Sequence, residues 1–309
     1  MKKNIIIIAG TLICGAFTYF FYKQHQPDVP SGRFSIVCTT SIIGDTVRNI
    51  VGDDAIVTCL MGSDIDPHLY RAREHDIHTL ASANLIIYNG LHLEGKLADV
   101  LHSMNRYVPT LSIADHLDRS RFIASHEYET LYDPHIWFDV RLWIDAVAII
   151  RDALMRHDPE HAAAYEMRAA HYTKELQSLD AFIREQISGL APEQRILVTA
   201  HDAFHYFGRA YGFTVVALQG ISTESEAGIK DVQELVSYIV EHNVRALFVE
   251  ASIPERNIQA VQQATRARGF EVGIGDQLYS DALGPIGSGA DTYISMVRHN
   301  IEAIVSALL

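Results

Sequence analysis

The feature that most constrains the fold of this 309-residue chain is an alternation of short apolar runs and amphipathic helical segments that occurs twice. The first series covers residues 34–111, and the second runs from residue 196 to a last helix at about 292–307. Alternating strands and helices are typical of a parallel sheet covered by helices. The sequence therefore predicts two α/β lobes, which agrees with the usual size of domains.

A long helical segment separates the two series. After its opening proline, the segment 159–187 contains neither proline nor glycine and is rich in good helix formers. At about 1.5 Å per residue, such a helix would be more than about 40 Å long. We therefore predict two lobes, each a parallel sheet covered by helices, joined by one long helix. The predicted boundaries are 34–156 for the N-terminal lobe, 157–189 for the linking helix and 190–309 for the C-terminal lobe.

The first 33 residues have the pattern of a targeting segment rather than of a third lobe. Met1-Lys2-Lys3 precedes an uncharged, mostly apolar run at 4–22, which as a helix would nearly cross a bilayer core. A basic start before an apolar run is also typical of a secretion signal. We interpret 1–33 as a signal or membrane anchor followed by a tether. A retained anchor is favoured over lipidation at Cys14, and either places the rest of the chain outside the cytoplasm.

The composition argues against some classes of protein. The chain has 25 basic and 38 acidic residues, a net charge of −13, which disfavours nucleic-acid binding because that binding depends on neutralising phosphates. Two cysteines follow the predicted anchor, Cys38 and Cys59, each in an apolar run typical of a buried strand. The sequence does not decide whether these cysteines are two unreactive buried thiols or form a disulfide, because it does not supply their geometry.

Residues suited to metal binding lie in loops at the predicted strand ends, where ligands bind in parallel α/β sheets. His68 lies in the loop after the predicted strand 55–60, and His201 follows the strand 196–199. His135 lies in an Asp-Pro-His segment that repeats the Asp-Pro-His around His68. A carboxylate-bearing loop near the C-terminus contains Asp276 and Asp281. Neutral imidazole and carboxylate together suit Zn²⁺, Mn²⁺ and Fe²⁺.

Five motifs spread over most of the chain after residue 33. They are Asp66-Pro67-His68-Leu69-Tyr70, Asn89-Gly90-Leu91-His92-Leu93-Glu94, Asp133-Pro134-His135-Ile136-Trp137, Thr199-Ala200-His201-Asp202-Ala203-Phe204 and Tyr279-Ser280-Asp281-Ala282. In this order they resemble the metal-binding solute receptors of bacterial ABC importers, the TroA, ZnuA and PsaA type, and are most similar to the TroA-type members.

The resemblance implies two α/β lobes joined by a rigid helix, with a metal site between the lobes. Its ligands would be His68 and His135 from the first lobe and His201 and Asp281 from the second. The cargo would be one divalent ion (Zn²⁺, Mn²⁺ or Fe²⁺), and the partners the permease and ATPase of an ABC importer. We expect a monomer and no enzymatic activity. Manganese-type members often have glutamate at the position of His201, so the chain departs from that subgroup.

Two residues are candidates to hydrogen-bond a ligand rather than to bind the metal. Glu250 follows the predicted strand 246–249 and is suited to orient a ligand histidine, and His205 lies four residues after His201. This His-x-x-x-His spacing also occurs in zinc proteases, with Asp202 here in place of their catalytic glutamate. A metal-dependent hydrolase and a surface adhesin of the same fold are therefore the alternatives to a metal receptor.

Overall fold

The computed structural model describes residues 32–125 and 131–309. The first sheet has the strand order β2-β1-β3-β4, and all its neighbouring strands are parallel. Its strands are β1 (Phe34–Cys38), β2 (Ala55–Cys59), β3 (Leu85–Tyr88) and β4 (Thr110–Ser112). Most apolar residues of β1, β3 and β4 are buried, as expected for a parallel sheet, whereas those of the edge strand β2 are mostly only partly buried.

The second sheet has the corresponding order, β6-β5-β7-β8, and is also parallel. Its strands are β5 (Ile196–Thr199), β6 (Thr214–Ala217), β7 (Ala246–Leu247) and β8 (Gly273–Ile274). The fold of two parallel sheets with surrounding helices is thus confirmed. Strand β8 was not predicted, since two residues that include a glycine leave no sequence pattern.

The helices of the described residues follow the predicted series, with two additions. They are α1 (Ser41–Val51), α2 (Glu74–Ala81), α3 (Ala98–Met104), α4 (Val140–His157), α5 (Ala162–Ile187), α6 (His205–Tyr211), α7 (Ile229–Glu241), α8 (Arg256–Ala267) and α9 (Tyr293–Leu308). Side-chain caps fix several helix starts: Thr40 accepts from the backbone N–H of Ile43, and Asp139 from those of Arg141 and Leu142. Neither α4 nor the short helix α6 was predicted from the sequence.

The long helix α5 is preceded by a 3₁₀ turn at Pro159–His161 and packs against α1, α4 and α9. Asp180 on α5 accepts hydrogen bonds from Arg141 Nε (3.1 Å) on α4 and from Tyr211 OH (3.0 Å) on α6. The largest hydrophobic cluster takes residues from both sheets and from α5. These contacts support a stiff connection, while the boundaries at 156–157 and 189–190 stay a prediction.

The predicted anchor run, with Cys14, lies outside the described residues. Among residues 32–125 and 131–309, no helix is long and apolar enough to cross a membrane.

Candidate metal centre

The structure brings His68, His135, His201 and Asp281 together. One ligand atom from each lies within 4.8 Å of the others, and all four residues are buried. His68 lies in the loop after β2, and His201 follows β5 directly. His135 immediately precedes a 3₁₀ turn that leads into α4, and Asp281 lies between β8 and α9. Four separate loops therefore contribute one side chain each.

The distances between the donor atoms of these side chains fit tetrahedral coordination of one ion. Nε2 of His68 lies 3.4 Å from Nε2 of His135, which lies 3.4 Å from Asp281 Oδ1. Asp281 Oδ2 lies 3.3 Å from His201 Nε2 and 3.8 Å from His68 Nε2. Four tetrahedral ligands at about 2.1 Å from an ion are about 3.4 Å from one another. The cluster thus has the size of a zinc-type site.

Three atoms of the cluster are buried polar groups without a hydrogen-bond partner among the described residues: His201 Nε2 and both carboxylate oxygens of Asp281. A buried polar atom that makes no hydrogen bond is destabilising. Nitrogen and carboxylate lone pairs that converge in this way fit a cation. The donor set itself, three imidazoles and one carboxylate, is suited to a divalent transition metal.

Carboxylates behind the cluster orient two of the histidines. Glu250 Oε2 lies 2.6 Å from Nδ1 of His201, and Glu250 Oε1 accepts the backbone N–H groups of Ala200 and His201. Asp133 Oδ1 lies 2.7 Å from Nδ1 of His135 and accepts its backbone N–H. A proton on each Nδ1 leaves the Nε2 lone pair directed at the cluster. Glu250 was a candidate for this contact, whereas Asp133 was missed as an orienting group.

The two Asp-Pro-His segments use their aspartates differently. Asp66 Oδ1 accepts the backbone N–H of His68 (2.8 Å), as Asp133 does for His135. The other oxygen of Asp66 accepts the hydroxyl of Thr223 (2.6 Å), which precedes α7 on the second half of the chain. Asp66 therefore ties the His68 loop to that half. The repeated sequence pattern did not reveal this difference.

Burial and neighbouring charges shift the pKa values of the cluster. Burial, which the charge of Asp281 only partly offsets, lowers the pKa of His68 to about 3. For His201, burial is outweighed by the carboxylates of Glu250 and Asp281, so its pKa is raised well above the ordinary value. Burial alone would raise the pKa of Asp281, but the three imidazoles hold it well below its usual range. Asp281 is therefore ionised and His68 neutral at neutral pH.

His205 lies outside the four-residue cluster. It is the first residue of α6, so His201, which precedes the helix, does not share a helical face with it. Its Nε2 lies 3.1 Å from Asp202 Oδ1, and its Nδ1 lies 3.8 Å from Asp133 Oδ2. His205 thus approaches the carboxylate that orients His135. Its role in supporting a ligand stays a prediction.

We expect Glu250→Gln to weaken metal binding about 10–100-fold, the usual effect of losing a group that orients a ligand. The amide keeps the shape of the side chain but removes the charge that holds the proton on His201 Nδ1. Titration calorimetry with Zn²⁺ would measure the change. Glu255→Gln, an exposed site on the same stretch of chain, is the matched control. Equal affinities for the two variants would contradict the role of Glu250.

The profile of a family described as "ZnuA: Zinc-uptake complex component A periplasmic" matches residues 36–307. The chain belongs to this family. The manganese-binding lipoprotein MntA of Bacillus subtilis is 44% identical over 89% of this chain and 90% of its own length. The zinc-binding protein TroA of Treponema pallidum is 41% identical over 98% of both. The iron-binding protein YfeA of Yersinia pestis is 31% identical over 91% and 88%, respectively.

Solved structures of the family have the same fold. The structure of the periplasmic zinc-binding protein TroA from Treponema pallidum superposes with a TM-score of 0.87 and 42% identity, covering 90% of this chain and 99% of that one. The predicted resemblance and the predicted fold class are thereby confirmed. Members of the family are metal-binding transport receptors rather than enzymes, so neither the hydrolase nor the adhesin alternative is favoured.

Proposed function

We propose that this chain is an extracytoplasmic receptor that captures one divalent transition-metal ion and delivers it to the permease and ATPase of an ABC importer. The observation that carries the proposal is the buried cluster of His68, His135, His201 and Asp281, whose spacing fits tetrahedral coordination. The relatives named above bind manganese, zinc or iron, all of which accept imidazole and carboxylate ligands. The ion is cargo, held and then released.

The ion would connect the two lobes, since His68 and His135 belong to the proposed lobe 34–156 and His201 and Asp281 to the lobe 190–309. Protein contacts already hold the Asp281 loop against the first lobe. Trp137 Nε1 donates to the carbonyl of Ser280 (2.9 Å), and the N–H of Leu283 donates to Ser41 Oγ (2.9 Å). With this loop and α5 holding the lobes, we infer that metal binding shifts loops and lobes only modestly rather than closing a wide hinge.

The geometry favours capture over hydrolysis. Four protein ligands complete a tetrahedral shell and leave no position for the activated water that catalytic zinc sites retain. In zinc proteases the two histidines of the His-x-x-x-His motif lie on one helix, whereas here the helix begins only at His205. The segment around His201 therefore lacks the helical arrangement of the zinc-protease motif.

We propose that residues 1–33 tether the receptor to the membrane, by a retained anchor or by a lipid on Cys14, and that it acts as a monomer. Several relatives are named lipoproteins, which supports extracytoplasmic anchoring. Extraction of the full chain into detergent, followed by mass measurement of its N-terminal peptide, distinguishes a retained Met1 segment from a lipidated Cys14. A chain that stays in the aqueous phase with a new, unmodified N-terminus would contradict tethering.

Elemental analysis of the protein isolated from its native host, without added metal, tests the proposed cargo. We expect about one zinc, manganese or iron ion per chain. Three imidazoles and one carboxylate bind Zn²⁺ more tightly than Mn²⁺ or Fe²⁺, but availability in the host also decides occupancy. A chain that contains no transition metal above the level of a His68→Ala variant would contradict the proposal.

Metal affinity should decrease as the pH falls. His201 has a raised pKa, so binding of an ion to its Nε2 must displace a proton, whereas His68 stays neutral to about pH 3 and takes up none. Below the pKa of His201, displacing one proton lowers the apparent affinity about tenfold per pH unit. Competition titrations between pH 8 and pH 6 would measure the slope, and a flat profile would contradict ligation by His201.

A further inference from the structure

Two cysteines outside the metal cluster lie directly opposite each other. Cys38 ends β1 and Cys59 ends β2, and the register of this parallel pair places them as partners. Paired residues on neighbouring parallel strands direct their side chains to the same face of the sheet, and Cys59 packs against the hydrophobic cluster to which Cys38 belongs. The sequence left open whether these two residues are neighbours, and the register shows that they are.

The spacing of neighbouring strands suits a disulfide. Strands in a sheet are about 4.8 Å apart, within the roughly 4.4–6.8 Å between Cα atoms that a disulfide spans. Both thiols are free in the structure. The Sγ of Cys59 lies against Gly44 of α1, where any side chain at position 44 would clash with it. Rotation about the Cα–Cβ bond of Cys59 would turn the sulfur from α1 toward Cys38 without a change in the backbone register.

The surroundings of the two thiols differ, and the difference determines which of them reacts first with an oxidant. Cys59 is half-buried, and Arg48 Nη2 donates a hydrogen bond to its Sγ (3.3 Å). A guanidinium at this distance stabilises a thiolate, which is the nucleophile in thiol–disulfide exchange. Burial raises the pKa of both thiols, but Arg48 partly offsets the rise at Cys59, whereas Cys38 is fully buried and its pKa lies well above the ordinary value. Cys59 is therefore the thiol that reacts first.

We propose that Cys38 and Cys59 are a modification site, a thiol pair that closes to a disulfide between β1 and β2 when the chain meets a disulfide oxidant outside the cytoplasm. This rests on the extracytoplasmic location given under Proposed function, since such compartments oxidise thiols. The Cys59 thiolate attacks the oxidant R–S–S–R, forming a mixed disulfide and releasing R–S⁻. The Cys38 thiolate then attacks Cys59 Sγ and releases the second R–S⁻, so two protein thiols are oxidised and two R–SH are formed.

The bond would hold β1 to β2 at the end of the sheet where the metal loops begin. Cys38 directly precedes Thr39, whose hydroxyl donates to the buried carboxylate of Glu94 (2.7 Å). Cys59 precedes the loop that carries His68. The closed loop between the cysteines also contains α1, whose Ser41 holds the Asp281 loop. The disulfide would therefore restrain the part of the first lobe that positions one ligand directly and another through Ser41.

Peptide mapping of the full chain tests the proposal. Trypsin cleaves after Arg33, Arg48 and Arg71, so Cys38 and Cys59 fall in separate peptides, 34–48 and 49–71. The exported chain is quenched in acid, unfolded without reductant, treated with an alkylating agent and digested. We expect one cross-linked species of peptides 34–48 and 49–71, which separates into two free peptides after reduction. Alkylation of both cysteines in the unreduced chain, or a link from either to Cys14, would overturn the proposal.

Two further measurements keep the result independent of how well a variant folds. Wild-type chain that has been reduced and refolded is incubated with oxidised glutathione, and we expect the same cross-linked species. Cys59→Ser should instead leave Cys38 unlinked and unreactive toward glutathione, because Cys38 is fully buried.

Reductant should lower the thermal midpoint of the wild type but not that of Cys59→Ser. Equal effects of reductant on both proteins would contradict a restraining disulfide. Since metal binding is measured separately, failure of the proposed function would not alter these readouts.

Discussion

Replacing Asp281 with alanine is expected to lower Zn²⁺ affinity by more than the roughly 100-fold that loss of a ligand-orienting group can cause. The substitution removes the only carboxylate within the four-residue cluster, and with it the negative charge that faces the three imidazoles. Its two oxygens have no hydrogen-bond partner among the described residues, so the substitution breaks no hydrogen bond, although it removes the attraction between this carboxylate and the imidazoles. The thermal midpoint of the metal-free variant is therefore measured beside its affinity.

Asp276→Ala is the matched control for this measurement, since Asp276 lies in the same loop but is exposed. Calorimetry at one pH and one buffer composition compares both variants with the wild type. Asp276→Ala should bind with wild-type affinity. If Asp281→Ala also kept wild-type affinity, the proposed ligand set would be wrong, whatever metal the protein carries.

Zn²⁺ should raise the thermal midpoint of the metal-free protein by about 5–10 °C. A ligand that binds only the folded state stabilises it by about 2.7 kcal/mol at 100 times its dissociation constant, and for a domain of this size each kcal/mol shifts the midpoint by about 2–4 °C. The shift should increase with zinc concentration and be reversed by a chelator. Calorimetric unfolding scans of the full chain would measure it.

Mg²⁺ is the control ion for the thermal shift, because it prefers oxygen ligands and retains its waters. It should leave the midpoint unchanged at the concentration where Zn²⁺ has its full effect. Asp281→Ala should lose most of the zinc shift. An equal shift in wild type and variant would mean that zinc stabilises the protein from a different site.

The sequence was informative about the candidate ligands because of where they lie relative to strands. His68 and His201 follow strands whose ends were predicted to within one residue, and parallel strands present such loops at one edge of the sheet. The choice of Asp281 over Asp276 came from the family motif rather than from spacing. The 3.3–3.8 Å separations within the cluster depend on four loops folding together, so no local pattern specifies them.

The supporting groups were less accessible to sequence reasoning. Asp133 orients His135 from two residues away, a signal present in the Asp-Pro-His motif but not interpreted. The same motif places Asp66 beside His68, yet the second carboxylate oxygen of Asp66 accepts a hydrogen bond from Thr223, which is distant in sequence. Only the tertiary structure separates these two roles. The helix Val140–His157, which Asp139 caps, and the short helix His205–Tyr211 were not predicted from the sequence.

A crystal structure of the metal-loaded protein, with anomalous diffraction at the absorption edge of the bound metal, would show directly whether the four side chains bind the ion. We predict one ion at about 2.0–2.2 Å from Nε2 of His68, His135 and His201 and from a carboxylate oxygen of Asp281, as in zinc sites. An ion elsewhere, or one at this cluster that lacks any of the four side chains as ligands, would contradict the account.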